Sequence, residues 1–356
     1  MGHRKFAIMS VACALGMMAC KDKGAEQWTE NKPAEQAAAP ATSPETATAN
    51  TPQAVDNAEQ KELLNYMIFN IGKLAGEQAS NPVWYDQVRD MRNKLEDYYN
   101  ALEAKGEDPK TSMQLGLLLA DITRSMRAYD KALKLYNETL TKWENQPEEA
   151  RQSLEGRRMR SSIANGMGGC YLVQGKAVDA LPYYEKALEI DKAIYDELAP
   201  EGQLPTGNQT ISPDLERAAE DILSSYRCLG ECQRWANDPE EARDTYKKGQ
   251  ELALRMNNLR PGASLQLIRL RSAQGDLENS LGQLKNAYVA WMSAGQLGQN
   301  LLKLGPSASV RAKLIQNLRR LSESIKAISP KVREELEAAR AAEAGEEPQE
   351  LNVPQD

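Results

Sequence analysis

The chain is poor in the side chains that do most enzyme chemistry. It has a single histidine, His3, among 356 residues. Once the N-terminal segment holding His3 is removed, as argued below, no imidazole remains. That excludes Ser-His-Asp and Cys-His nucleophile activation and any histidine-ligated metal. Acid–base work by carboxylates or lysine stays open in principle. Aromatics are scarce, at 6% with two Phe. Val and Ile are sparse beside Leu, Ala, Glu, Gln and Lys, the helix formers. No run alternates apolar and polar residues long enough to suggest a strand. Phosphate loops are missing too: Gly166, Gly168 and Gly169 follow no strand, so their spacing is incidental. The formal charge is −7, and loss of Arg4 and Lys5 with residues 1–19 leaves −9. Such a chain has no global attraction to nucleic acid.

What is present begins with an address. Arg4 and Lys5 precede an apolar run from Phe6 to Met18. That is too short to span a bilayer and the right length for a signal-peptide core. The run ends in Met17, Met18, Ala19 and Cys20, then Lys21. A small residue before a Cys at this place resembles the lipobox of bacterial lipoproteins. The resemblance implies cleavage before Cys20, a diacylglycerol on its thiol and an acyl chain on its new amine. Met17 departs from the family's usual Leu. Position 21 is Lys rather than an inner-membrane-retaining Asp, so the expected location is the outer membrane, facing the periplasm. Several acyl chains on one residue give stable anchoring.

Residues 21–57 read as a flexible linker. Pro33, Pro40, Pro44 and Pro52 lie among Ala, Thr, Gln and Glu, with no apolar period. Such a coil spans roughly 30 Å. At the far end, residues 334–356 carry eight acidic residues and one base, Arg340, and read as a solvated acidic tail. Between these ends, residues 58–333 read as helices. Leu63, Met67, Ile71 and Leu74 form one stripe, broken at Asn81 and Pro82. Val88, Met91, Leu95, Tyr98 and Leu102 form the next, closed by Gly106 and Pro109. Spacings of three and four mark amphipathic helices.

The middle of the chain repeats. Gly168 is followed by Tyr171, a turn at Gly175, then Ala180, Tyr184 and Ala187. Leu229 and Gly230 are followed by Ala242 and Tyr246. From Gly to Ala is 12 residues in both segments, and from Ala to Tyr four. A weaker copy has Leu119 and Ala120, then Tyr129, Ala132 and Tyr136. The clearest repeats lie near 164–190 and 226–252, with the weaker one near 116–142. In 264–303 two registers compete: Gly275 and Asp276 as a turn, or Leu281 and Gly282 as a packing pair.

This pattern resembles the tetratricopeptide repeat, with Leu-Gly-x-x-Tyr on a first helix and Ala-x-x-x-Phe/Tyr on a second. The resemblance implies an all-α fold of stacked antiparallel hairpins in a right-handed superhelix. It also implies a protein or peptide partner on the concave face. The family's positions on that face fall at Asn165, Gly169 and Leu172, then at Arg227, Glu231, Arg234 and Trp235. Of these, Asn165, Arg227, Glu231, Arg234 and Trp235 are the candidate partner contacts. The family's Lys and Asn clamp for a C-terminal carboxylate is not reproduced. Cys170 and Cys232 fall two residues after the packing Gly and read first as small buried residues. A disulfide among Cys170, Cys228 and Cys232 is the sharper alternative. Arg157, Arg158 and Arg160, and later Arg311, Lys313, Arg319, Arg320 and Lys326, read as charged helix faces. The expected function is therefore a membrane-anchored scaffold, with a structural subunit of an envelope machine as the alternative. No catalytic residue, cofactor, metal or small-molecule substrate is expected.

Overall fold

The computed structural model describes residues 82–106, 109–199, 211–256 and 260–344. Eleven helices make up its regular structure, and no strand occurs among the described residues. They are α1 (Pro82–Lys105), α2 (Pro109–Ser125), α3 (Tyr129–Glu144), α4 (Glu148–Gln152), α5 (Leu154–Val173) and α6 (Ala177–Leu198). Then follow α7 (Pro213–Trp235), α8 (Pro239–Arg255), α9 (Pro261–Ser280), α10 (Leu284–Lys303) and α11 (Ala308–Ala344). No described helix is long and apolar enough to cross a membrane.

Local chemistry sets the helix starts. Ser212 and Asp238 accept hydrogen bonds from the backbone N–H groups of Leu215 and Glu241, at 3.2 Å each. Pro213, Pro239 and Pro261 occupy first-turn positions where no N–H partner is lost. Ser153 caps α5 in the same way, accepting from Gly156 at 3.0 Å.

The helices pack as adjacent pairs: α2 with α3, α5 with α6, α7 with α8, and α9 with α10. Each pair is a hairpin closed by a short turn. The turns contain Arg127, Gly175, Asn237 and Gly282, all with φ between 64° and 77°. Each of the four lies seven residues after a small residue of the first helix: Ala120, Gly168, Gly230 and Gly275. Twelve residues after that small residue comes a fully buried alanine, Ala132, Ala180, Ala242 or Ala287. Sixteen after it comes a buried aromatic, Tyr136, Tyr184, Tyr246 or Trp291. A Cβ at Gly230 would lie 2.5 Å from the Tyr246 ring, and one at Gly275 2.4 Å from Trp291. The small residue is therefore where the second helix's aromatic ring rests. Successive first helices α2, α5, α7, α9 and α11 also touch one another, so they form one continuous face.

The structure departs from the sequence reading at two described places. In 264–303 neither register holds. Gly275 is the packing residue against Trp291, and Leu281 with Gly282 forms the turn. The registers were transposed because both glycines fit a turn by composition, whereas only Gly282 has the left-handed backbone. At the C-terminal end, α11 runs to Ala344, so the first eleven residues assigned to an acidic tail are helical. Ala338, Ala339, Ala341 and Ala342 are strong helix formers, and Gly345 is the first breaker after them. Cys20, the linker, the stripe from Leu63 to Leu74 and residues 200–210 lie outside the described residues.

Candidate partner-binding face

The first-helix face carries a row of charge built by the same frame, buried at Glu231 and partly buried at Asp121 and Asp276. One residue after the packing position stands an acid in three of the four hairpins: Asp121, Glu231 and Asp276. Each accepts a hydrogen bond from its own hairpin's aromatic. The Tyr136 hydroxyl donates to Asp121 at 2.5 Å, the Tyr246 hydroxyl to Glu231 at 3.0 Å, and Trp291 Nε1 to Asp276 at 3.0 Å. Burial pushes the phenols of Tyr136 and Tyr246 well above their ordinary range, so both remain donors.

An arginine completes each set. Arg124 donates to the Tyr136 oxygen at 3.1 Å and pairs with Asp121 at 3.4 Å. Arg234 pairs with Glu231 at 2.5 Å. Asp276 has no arginine three residues on; Arg320 reaches it from α11, at 2.7 and 2.9 Å. The second hairpin is the exception. Gly169 stands where the acid would be, and Arg124 of the preceding hairpin lies over it, 3.2 Å from where a Cβ would sit.

Four of the sequence-predicted contacts share this face on α7. Glu231 is buried, and its carboxylate is already shared among Tyr246, Arg234 and Trp235 Nε1, the last at 3.1 Å. Its observed role is therefore to hold other side chains in place. Arg227 is buried as well, with Nη2 3.4 Å from Ser224 Oγ and 3.3 Å from Cys228 Sγ. Arg234 stacks over the Trp235 ring at 5.0 Å. Trp235 is the member that presents large apolar surface, at 48% exposure. Asn165 lies on α5, half-buried, with Nδ2 3.5 Å from Ser225 Oγ of α7.

Near Asn165 is a polar junction that sequence reasoning did not reach. Ser225 donates to Asp191 of α6 at 2.5 Å, and Ser161 of α5 hydrogen-bonds the same carboxylate. Burial, then the negative Asp191, pushes Asp221 up to about 7. Asp221 and Ser225 are one helical turn apart, so three carboxylate and hydroxyl groups from α6 and α7 meet on one seam. The signal for the acid–aromatic pairs was in the sequence, as an acid fifteen residues before each aromatic. The Asp191 junction left no local signature, because it joins three helices.

The basic run on α5 is engaged within the molecule. Arg157 pairs with Glu197 and Arg158 with Asp214, both at 2.6 Å, and Arg160 lies over the Trp143 ring at 5.8 Å. Cys170, Cys228 and Cys232 are buried. Burial pushes the Cys170 thiol up to about 12, and Cys232 Sγ sits 3.2 Å from the Ala177 carbonyl oxygen. These thiols pack as small apolar groups.

No protein-family model matches the chain, and no curated protein matches it. Among solved structures the chain is similar to BtubC (BKLC) from P. vanneervenii. The identity is 17%, the match covers 76% of this chain and 96% of that one, and the TM-score is 0.44.

Proposed function

We propose that the chain is a lipid-anchored scaffold of the bacterial envelope, which holds a protein or peptide partner on its first-helix face. In this reading the hairpins stack into a right-handed tetratricopeptide-like superhelix, and that face is its concave side. The observation that carries the reading is the shared frame: small residue, left-handed turn, buried alanine, buried aromatic, at identical spacing in four hairpins. A hairpin cannot cover its own apolar face, so such units stack and expose a long continuous surface. The sequence adds the signal core, Cys20 and the Pro-rich linker, which together describe a folded array held off a bilayer. A carboxylate clamp is not needed, because Trp235 with Arg234 offers an aromatic and cationic contact.

Two measurements test it. Intact mass of the mature chain should show acyl modification at Cys20, and Cys20→Ala should leave the protein in the soluble fraction. An unmodified, soluble wild-type chain would sink the anchor. Crosslinking in intact cells should then recover one defined neighbour, and Trp235→Ala should weaken its recovery. Recovery of nothing above background at several salt concentrations would remove the scaffold reading.

A further inference from the structure

Eight residues before the packing position, three of the four hairpins hold a small or apolar side chain that is buried: Ser112, Ile222 and Leu267. The second hairpin has Arg160 there, half-buried. Arg160 stands on α5 between Trp143 of α3 and Tyr183 of α6. Both α3 and α6 pack on α5 rather than on each other, which leaves a groove between them with α5 as its floor. Ile163 and Met167, one and two turns after Arg160, are buried in the cluster that Tyr183 covers. Arg160 begins that row, so its guanidinium stands where the apolar floor ends.

The neighbouring cations are taken. Arg157 pairs with Glu197 and Arg158 with Asp214. Arg160 has the Trp143 ring, but no hydrogen bond and no carboxylate within ion-pair distance among the described residues. Its Nη1 is buried without an acceptor, and the Nε–Nη2 edge is the part left open. The ring beneath it is fixed: Trp143 Nε1 donates to the Gly156 carbonyl oxygen at 2.8 Å, and Arg151 lies over the same ring at 5.7 Å. Arg151 is itself paired with Glu148. Burial holds the Arg160 guanidinium below the ordinary arginine range, although Glu144 and Tyr183 act against this. A cation drawn this far from water is ordinarily paired.

We propose that this groove is a docking point for an acidic side chain of a protein partner, whose carboxylate takes the open Nε–Nη2 edge of Arg160 beside the Trp143 ring. The contact lies among the second helices, apart from Trp235 on the first-helix face, and does not rest on the reading of that face. Two donors on one guanidinium edge match the two oxygens of a carboxylate. One cation balances one negative charge. A phosphate dianion would leave a charge in excess beside Glu144. An anionic lipid surface draws on several cations at once, and Arg157 and Arg158 are already paired.

The test is fluorescence anisotropy of a labelled peptide of alternating Glu and Leu, titrated with the full chain. Arg160→Gln should weaken binding about tenfold. Arg160→Lys keeps the charge but loses the two-donor edge, and should weaken it about threefold. Lys131→Gln removes an exposed charge from α3 and should change binding less than about twofold. Trp235→Ala should also leave it unchanged, which separates this groove from the first-helix face. A direct readout stands beside these variants. In the nitrogen-15-labelled wild-type chain, the side-chain Nε–H resonance that Arg160→Lys removes should shift saturably with the peptide, at the midpoint given by anisotropy. That measurement decides the matter even where a variant melts early. Equal weakening by Lys131→Gln or Trp235→Ala would overturn the proposal. So would equal binding of a Gln-for-Glu peptide, displacement by inorganic phosphate at the peptide's own concentration, or an Arg160 resonance that moves with phosphatidylglycerol vesicles and not with the peptide.

Discussion

Tyr246 and Glu231 bury a hydroxyl and a carboxylate together, and each satisfies the other at 3.0 Å. Tyr246→Phe keeps the ring volume but withdraws the donor from a buried acid. The expected cost is about 1–3 kcal/mol, read from urea unfolding. Asp221 gives a pH test with a fixed sign. Its carboxyl stands at about 7 in the folded chain, against an ordinary 3.8. Between those values the folded state binds the extra proton, so stability falls as pH rises from about 4 to about 7 and is level above. Asp191, also raised by burial, adds to the same trend. The side chain of Asp221 is 40% exposed, so solvent screening makes the effect modest. Asp221→Asn should flatten the difference between melting temperatures at pH 5 and pH 8; an unchanged difference would refute the assignment. Neither acid was legible beforehand, since a carboxylate on a helix reads as solvated until a third helix is laid over it. Glu231 shows the converse. Its position on the face was legible, but its use was not, because the Tyr246 hydroxyl reaches it from the other helix of the hairpin.

Among the helical elements, the fourth hairpin teaches most. The sequence reading found Gly-to-Ala and Ala-to-Tyr spacings in two segments, with a weaker copy that begins at Ala120, and lost the pattern at α9 and α10. The frame was intact there, with Gly275, Ala287 and Trp291 at the same offsets. A search for Tyr passed over Trp, although both bury a ring and offer one donor to an acid. Two substitutions separate the roles of the two glycines. Gly275→Ala forces the Trp291 ring aside and should cost about 1–3 kcal/mol. Trp291→Phe should recover part of that loss, because the two residues touch. Gly282→Ala meets nothing within 4 Å, so its cost of about 1–2 kcal/mol comes from the backbone alone, and no change at Trp291 should rescue it. Arg127 occupies the equivalent turn at φ 64°, so Arg127→Gly should stabilise by up to about 1 kcal/mol, measured by thermal unfolding. The all-helical class was legible from apolar spacing, and the boundaries at Pro82, Gly106, Pro109 and Gly175 from Pro and Gly. The end of α11 was not, since a run of acids marks solvation rather than the loss of a helix.

Across the whole molecule, apolar clusters sit between hairpins rather than in one central core. One cluster joins Ile194 and Tyr195 of α6 to Leu223 of α7, Leu252 of α8 and Leu267 of α9. In such a stack each unit is stabilised by its neighbours. Leu223→Ala, at a fully buried site, should cost about 2–5 kcal/mol. Hydrogen exchange should show α6 to α9 opening first, while α2 and α3 keep their protection. Uniform loss across the chain would mean that the stack behaves as a single cooperative block. The sixteen-residue frame also bears on tolerance to insertion. Within it, one added residue would rotate the aromatic by about 100° and point it away from its small partner. Between frames, the distance from one small residue to the next is 48, 62 and 45 residues, and the pattern survives all three. Length has thus varied where it is harmless and stayed constant where it is not. A foreign epitope or reporter placed between Ala199 and Ile211 should leave the molecule folded, whereas a single residue inserted between Gly230 and Tyr246 should not.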